Sequence, residues 1–583
     1  EFETFYNEKR PFFIEGGNIF SFGEGGANNN WGFNFGVPQL TYSRRIGRRP
    51  QGNVTADGFV NYPNETRILG AAKLTGKIDE SWSIGAVSAL TERTFASIRT
   101  DDGGTAEEQI EPLTYYGIFR TQKEFNNGKQ AIGMIFTSVN RDLNNGNLKN
   151  LLSNQAYTYG ADGWMFLDDD ETYVITGSVI GSYTSGTRDY LTRLQKQPYR
   201  YLQRPDKTYM AIDTNKTSIA GYFSRVMLNK QKGNFYLNTA VGIISPGFEY
   251  NDLGSQWMAD RINGHLVTGY RWFDPDAIFR RKSIYLAYNR TSDFEDNIER
   301  SGFYFTSSFQ LLNYWGINID ASTNFKSVSK TLTRGGPKLN MPANYSINLS
   351  AFTDNRANII FSPGIGYWRN EIGSEESFFE LGIEWKPTSQ ISFSFSPEYN
   401  TNYTTFQWVK NISDQYAAST YNTRYVFANL NQKTFSADIR LNWIFTPTLS
   451  LQLYIQPLIS VGNYEKFKEL TNPPTRDTKL YGNEGTQISY DSESESYTVD
   501  PDAEGPASSF NFHNPDFNFK SLRGNLVLRW EVLPGSVFYF AWTNSRMNIE
   551  NQGELNFKND FSNLLNSESD NIFLVKFSYW IDI

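Results

Sequence analysis

The residues in this sequence best suited to chemistry are carboxylates. Asp500-Pro501-Asp502-Ala503-Glu504-Gly505 sets oxygen donors at alternate positions before a glycine. A calcium loop opens this way, because a hard cation needs several converging oxygens. The bidentate Glu that would close such a loop is missing, and Asn511 stands at that offset. Asp491, Glu493 and Glu495 add charge upstream. Two readings follow: calcium held by Asp500, Asp502 and Glu504, or a solvated acidic surface loop. The missing Glu favours the second.

The cations cluster at the other end. Arg44, Arg45, Arg48 and Arg49 surround the first expected strand. They could form an anion-selective constriction or touch lipopolysaccharide phosphates. The favoured alternative is an inward ladder paired with carboxylates such as Asp438 or Glu531. Asp438, Arg440, Arg523, Arg529 and Glu531 alternate with apolar residues near the end of the chain and are expected to face inward. There they would line a pore or bond the amino-terminal segment. Asp168-Asp169-Asp170-Glu171 reads as a tight turn, since Asp forms turns and its charge keeps them in water.

Other chemistries have little to stand on. The chain contains no cysteine, which removes disulfides, thiolate zinc sites and thiol catalysis. Its two histidines, His265 and His513, are far apart in sequence, and a lone His at a strand start is expected to be structural. No glycine-rich phosphate loop or G-x-S-x-G elbow is present. Acidic pairs are scattered without a setting that marks a glycosidase. The sequence is therefore read as non-enzymatic. A net charge of −8 argues against a nucleic-acid partner.

The elements that must position these residues are strands. From Ile572 to Ile581, Phe573, Val575, Phe577, Tyr579 and Ile581 share one face, and Lys576 and Ser578 take the other. The same alternation recurs at Trp82–Ser88, Ile391–Ser396, Phe435–Trp443, Leu451–Gln456 and Leu522–Glu531. Mean hydropathy is −0.51, and no run of about 18 apolar residues exists to make a spanning helix. A barrel reconciles a polar average with a membrane, because only alternate residues need be apolar. Aromatics make up 16% of the chain, and Tyr and Trp favour bilayer interfaces.

Short turns such as Asn126-Asn127-Gly128, Pro387-Thr388 and Pro534-Gly535 alternate with long connections. The long ones are expected near 47–65, 95–110, 141–154, 185–214, 247–261, 328–342, 464–518 and 549–568. Outer-membrane barrels have short periplasmic turns and long external loops. The expectation is an all-β, antiparallel up-and-down transmembrane barrel over 38–583, with about 22 strands (20–24). An even count would put both ends in the periplasm. Residues 1–37 are expected to be irregular, in or below the periplasmic mouth. A signal peptide and a periplasmic domain are expected upstream of Glu1.

Three segments carry a resemblance to a known family: Glu8-Lys9-Arg10-Pro11-Phe12-Phe13-Ile14-Glu15, Tyr42-Ser43-Arg44-Arg45-Ile46-Gly47-Arg48 and Phe445-Thr446-Pro447-Thr448-Leu449-Ser450-Leu451-Gln452-Leu453-Tyr454. Together they resemble a largely uncharacterised Bacteroidota outer-membrane barrel family. The resemblance implies a preceding β-sandwich like carbohydrate-binding-module family 9, and it brings no catalytic residues. It implies the outer membrane of a Gram-negative bacterium, with outer-membrane lipid or lipopolysaccharide and other outer-membrane proteins as partners. Two roles are expected: a structural or interaction subunit of a secretion or assembly machine, or a transport pore for glycans or other nutrients.

Overall fold

The computed structural model describes residues 7–32, 36–144, 146–483 and 485–581. Residues 1–6 and 33–35 of the amino-terminal segment, residues 145 and 484 in two loops, and the last two residues lie outside the described residues. The fold is an outer-membrane-type antiparallel β-barrel. Among the described residues its sheet has 22 strands. One of them, Thr478–Leu480, has three residues and belongs to a loop. The rest run from 9 to 24 residues. Every ladder described between them is antiparallel and joins strands consecutive in the up-and-down path, as two-residue periodicity and short turns dictate.

The chain divides into two compact units. The first comprises Glu1–Gly269, Ala287–Ser301 and Arg334–Gly336. Its strands begin at Ile68–Asp79 and Trp82–Thr91. On Leu113–Phe125, Tyr115, Phe119 and Phe125 are exposed, whereas Tyr116, Ile118 and Arg120 are buried. The next strand repeats this, with Ile132, Met134 and Phe136 exposed against Ile135 and Val139 buried. The exposed apolar face is the one that meets lipid. The other face is also packed, which alternation alone does not foretell.

The second unit comprises Tyr270–Leu286, Gly302–Thr333 and Pro337–Ile583. Its strands Ile391–Ser413, Thr423–Thr446 and Leu449–Leu470 have 22–24 residues, against the roughly 9–11 that cross a bilayer. The excess stands on the loop side. It is stiffened there by Val426, Ala428, Phe467, Tyr481, Val499 and Phe512, and by a second cluster around Phe406, Tyr425, Phe427 and Leu470. The small sheet Gln487–Asp491, Ser496–Asp500 and Phe510–His513 belongs to this superstructure. Helix Phe557–Asn566 packs its Phe557 and Phe561 rings against Phe435 on the apolar face. Its Asp560 neutralises Lys520, a fully buried lysine on that same face.

Three expectations need correction. The Arg44–Arg49 stretch is not a strand: Ser43–Arg45 is a single 3-10 turn, and the irregular segment continues to residue 58. Residues 47–65 therefore form no hairpin loop: 47–58 belong to that segment, and Phe59–Asn61 is a short strand paired with Thr94–Arg99. Connections at 293–297, 371–374 and 414–422 are tight, held by Asp293 accepting from the backbone N–H groups of Glu295 and Asn297, and by Asn370 doing the same for Ile372 and Ser374. The expected count of about 22 strands agrees with the 22 of the sheet, one of them the three-residue Thr478–Leu480.

Candidate functional site

The inner face of the first unit is covered by the chain's own beginning. Pro11 fits the first turn of helix Pro11–Ile14, where a missing N–H costs nothing. Lys73, on the inner face of the first long strand, closes that helix: its Nζ donates to the carbonyls of Phe12 (3.0 Å), Phe13 (3.1 Å) and Glu15. Arg10 donates to the carbonyls of Ile46 and Ser43 and pairs with Glu8 at 2.7 Å. Burial raises the Glu8 carboxyl, but hydrogen bonds from Arg10 and Ser43 outweigh it and hold the group at about 2. Lys73 thus latches the first turn to the wall, and Arg10 ties it to the later part of the same segment.

Further along, Phe22 joins a core with Ile135, Ile180, Phe223 and Phe248. Gly23 N–H donates to Asp162 Oδ2 at 2.7 Å. Asp162 in turn takes both guanidinium nitrogens of Arg120, at 2.6 and 2.9 Å, and the two side chains are 4% and 1% exposed. Gly25 and Gly26 lie against Trp164, and a Cβ at either would stand 2.3–2.4 Å from that ring. Gly26 has φ +85°, so the position requires glycine on both counts. Asn28 N–H donates to Gln231, Arg225 donates to the Asn30 carbonyl, and the Trp31 indole donates to Tyr236. His265 Nε2 bonds Asn238 at 2.7 Å within this wall, the structural role expected for it.

The connections from the loop side fold onto the same core. Arg200 pairs with Glu249 at 3.0 Å and donates to the carbonyls of Pro246 and Phe248. Arg141 pairs with Asp252, and Lys207 with Asp260 at 2.9 Å. Each pair is nearly or fully buried. Removing one partner of such a pair costs about 3–5 kcal/mol, because the other charge is left stranded.

The expected arginines lie in this segment. Arg45 is buried, its Nε donating to the Gly254 carbonyl and its guanidinium over Tyr42. Arg48 contributes its carbonyl to Thr66 N–H. Arg44 lies beside them in the turn, half-buried. The late-strand charges share a face with polar neighbours, and their partners are close at hand. Asp438 accepts from Tyr454 and Gln456 and lies 3.5 Å from Arg440; Arg529 pairs with Glu531 at 3.0 Å. Arg523 shares their face and is exposed.

In the second unit the inner face is a ladder of hydroxyls, amides and scattered charges. Ser322 meets Ser346, Asn324 meets Asn344, Thr434 meets Ser460, and Thr543 donates to Asn525. The outer face of the same strands carries Ile347, Leu349, Phe361, Ile365 and Phe379, all exposed.

The acidic loop does not converge. Asp500 Oδ1 accepts from the N–H groups of Asp502 and Ala503, and Asp502 Oδ2 from that of Ala507. These carboxylates build turns. Among the described residues no group of three or more His, Asp or Glu is placed to hold a metal.

Sequence reasoning missed Arg120, Asp162, Arg141, Asp252, Arg200, Glu249, Lys207 and Asp260. The signal was present for the first two. With Tyr115 and Phe119 outward, Arg120 must point inward at mid-strand, where a lone charge demands a partner.

The family described as "Domain of unknown function (DUF5916)" matches residues 1–583. Among solved structures, the FrpB iron transporter from Neisseria meningitidis is 10% identical, with 80% of this chain and 77% of FrpB covered and a TM-score of 0.35. The outer membrane transporter YddB from Escherichia coli is 9% identical, with 83% and 64% covered and a TM-score of 0.37. An anion-selective porin from Comamonas acidovorans is 10% identical, with 57% and 90% covered and a TM-score of 0.24. No curated protein sequence matches the chain.

Proposed function

The chain belongs to the DUF5916 family, and we propose that it is a non-enzymatic, non-conducting subunit of a larger assembly in the outer membrane of a Gram-negative bacterium. One observation carries this reading: the segment covering the first unit's inner face is fixed by Arg120–Asp162, and the connections packed on it by Arg200–Glu249 and Lys207–Asp260, all buried. A gated transporter needs a part that moves at low cost. Moving the segment would break the Gly23–Asp162 bond beside the buried Arg120, and lifting the connections would break Arg141–Asp252, which ties them to a wall strand, at about 3–5 kcal/mol. A scaffold needs rigidity instead, and the second unit supplies it on the loop side. At its tip Arg424 clamps Asp414 (2.6 Å) and Glu469 (2.7 Å), presenting Tyr416 and Tyr421, both about half exposed. Exposed tyrosines on a rigid support are the usual anchors of a protein interface.

Bacteroidota origin and an upstream glycan-binding sandwich belong to the same proposal, on the strength of the three motifs at Glu8–Glu15, Tyr42–Arg48 and Phe445–Tyr454. The test is extraction in mild detergent followed by native mass spectrometry. The reading predicts stoichiometric outer-membrane partners, lost when Tyr416 and Tyr421 are both changed to Ala. Recovery of the chain alone contradicts it.

A second reading is a pore for glycans or other nutrients. The polar inner ladder of the second unit favours it, since Ser322, Ser346, Asn324, Asn344, Thr434 and Ser460 offer uncharged donors and acceptors in rows.

A further inference from the structure

The outer face of the second unit carries a crevice of about 390 Å³ at the loop-side end of its lipid-facing wall. Strand register builds it. Thr323 pairs with Tyr345, Tyr345 with Arg369, and Arg369 with Glu375, so one row across four strands carries these side chains on the outward face. Thr323, Tyr345 and Arg369 of that row line the crevice, and Ala343, Asn344, Asn370 and Glu371 complete it. Lys326, largely exposed, reaches over it and lies 3.6 Å from Glu371. The Tyr345 and Tyr367 rings stand 6.4 Å apart at its lower edge.

Below that edge the same face is apolar. Ile347, Leu349, Phe361 and Ile365 are 51%, 41%, 44% and 52% exposed. From Ile359 to Tyr367 this wall spans about 20 Å along the membrane normal at the usual strand tilt.

The two parts impose different demands. Lys326 and Arg369, with the Tyr345 hydroxyl and the Asn370 amide nearby, are the chemistry of a phosphate ester. The local carboxylates have partners besides the cations: Glu371 accepts from the Ala343 N–H, and Glu375 from the Tyr367 hydroxyl at 3.0 Å. A soluble anion would have no use for the apolar wall, and a neutral lipid none for the cations. We propose that this crevice binds the phosphorylated headgroup of an outer-leaflet lipid of the lipid A class, with its acyl chains lying along Ile347, Leu349 and Ile365. The inference rests on the membrane-spanning fold and holds for a scaffold or a pore alike.

The test uses the purified full chain in detergent, incubated with bisphosphorylated, hexa-acylated lipid A and examined by native mass spectrometry. The wild type should retain one lipid per chain, and millimolar inorganic phosphate should not displace it. The double variant Lys326→Gln/Arg369→Gln should bind at least about tenfold more weakly, the loss expected for one charge-assisted hydrogen bond. Dephosphorylated lipid should show the same loss, and Arg369→Lys should keep most of the affinity. Heat-modifiable mobility in gels confirms that each variant is folded. Equal binding by wild type and double variant overturns the proposal. So does equal binding of the dephosphorylated lipid, or full displacement by inorganic phosphate. A chain that stays monomeric without detergent would instead overturn the membrane reading beneath it.

Discussion

Arg120 and Asp162 meet through two parallel hydrogen bonds inside the first unit, and the second oxygen of Asp162 also receives the backbone N–H of Gly23. One carboxylate thus ties two strands to the covering segment. Asp162→Asn keeps the size but leaves Arg120 without its counter-charge. The expected cost is about 3 kcal/mol, the low end for a broken buried pair. Thermal unfolding in detergent should report it, and limited proteolysis should cut the segment around Gly23 faster than in the wild type.

Trp164 lies over Gly25 and Gly26 with no room for a side chain. Gly26→Val should lift the segment from this wall while the lipid-facing strands stay intact. Heat-modifiable mobility should be kept, and fluorescence should shift to the red as Trp164 gains solvent. Unchanged fluorescence would show that the approach is looser than described.

The Glu8 latch has a defined pH dependence. Its carboxyl is held at about 2 against an ordinary 4.5, mainly by Arg10 and Ser43 acting against burial. A depressed carboxyl stabilises above the unfolded value and loses that contribution as pH falls through the folded one. Protection of the amino-terminal segment from protease should therefore exceed that of Glu8→Gln by a constant amount above pH 4.5. The difference should shrink between pH 4.5 and about 2. A difference that grew on acidification would contradict the assignment.

Asp500 Oδ1 and Asp502 Oδ2 accept from backbone N–H groups of their own loop. Removing divalent cations with EDTA should leave the melting temperature unchanged, and Asp502→Asn should not alter its response. A chelator-dependent drop would restore the calcium reading.

Much of this fold was legible in the sequence. The outward faces of Trp82–Ser88, Phe435–Trp443 and Phe573–Phe577 follow from alternation alone, although the last strand ends at Ser578 and does not reach the expected Ile581; the turns at Asn126-Asn127-Gly128 and Asp168–Glu171 follow from their residue types. The covered inner wall was less legible. Ile118, Ile135 and Phe223 point inward, and a two-residue period cannot tell an inner face that meets water from one that meets Phe22. The arginines at 44–48 were misplaced because a basic, β-branched stretch resembles a strand start. Its 3-10 turn is accompanied by a tertiary bond, from Arg45 to the Gly254 carbonyl, that no local pattern announces. The partners in Arg200–Glu249 and Lys207–Asp260 are 49 and 53 residues apart, with two barrel strands between them, and no local pattern signals a partner across that distance.

The central claim is that the buried pairs holding the first unit's inner wall make the protein a fixed scaffold. Single-channel recording of the intact chain in planar bilayers tests it most directly. The account predicts no steady conductance above the bare membrane for the wild type. Large, steady steps from the wild-type chain would contradict it and favour the pore.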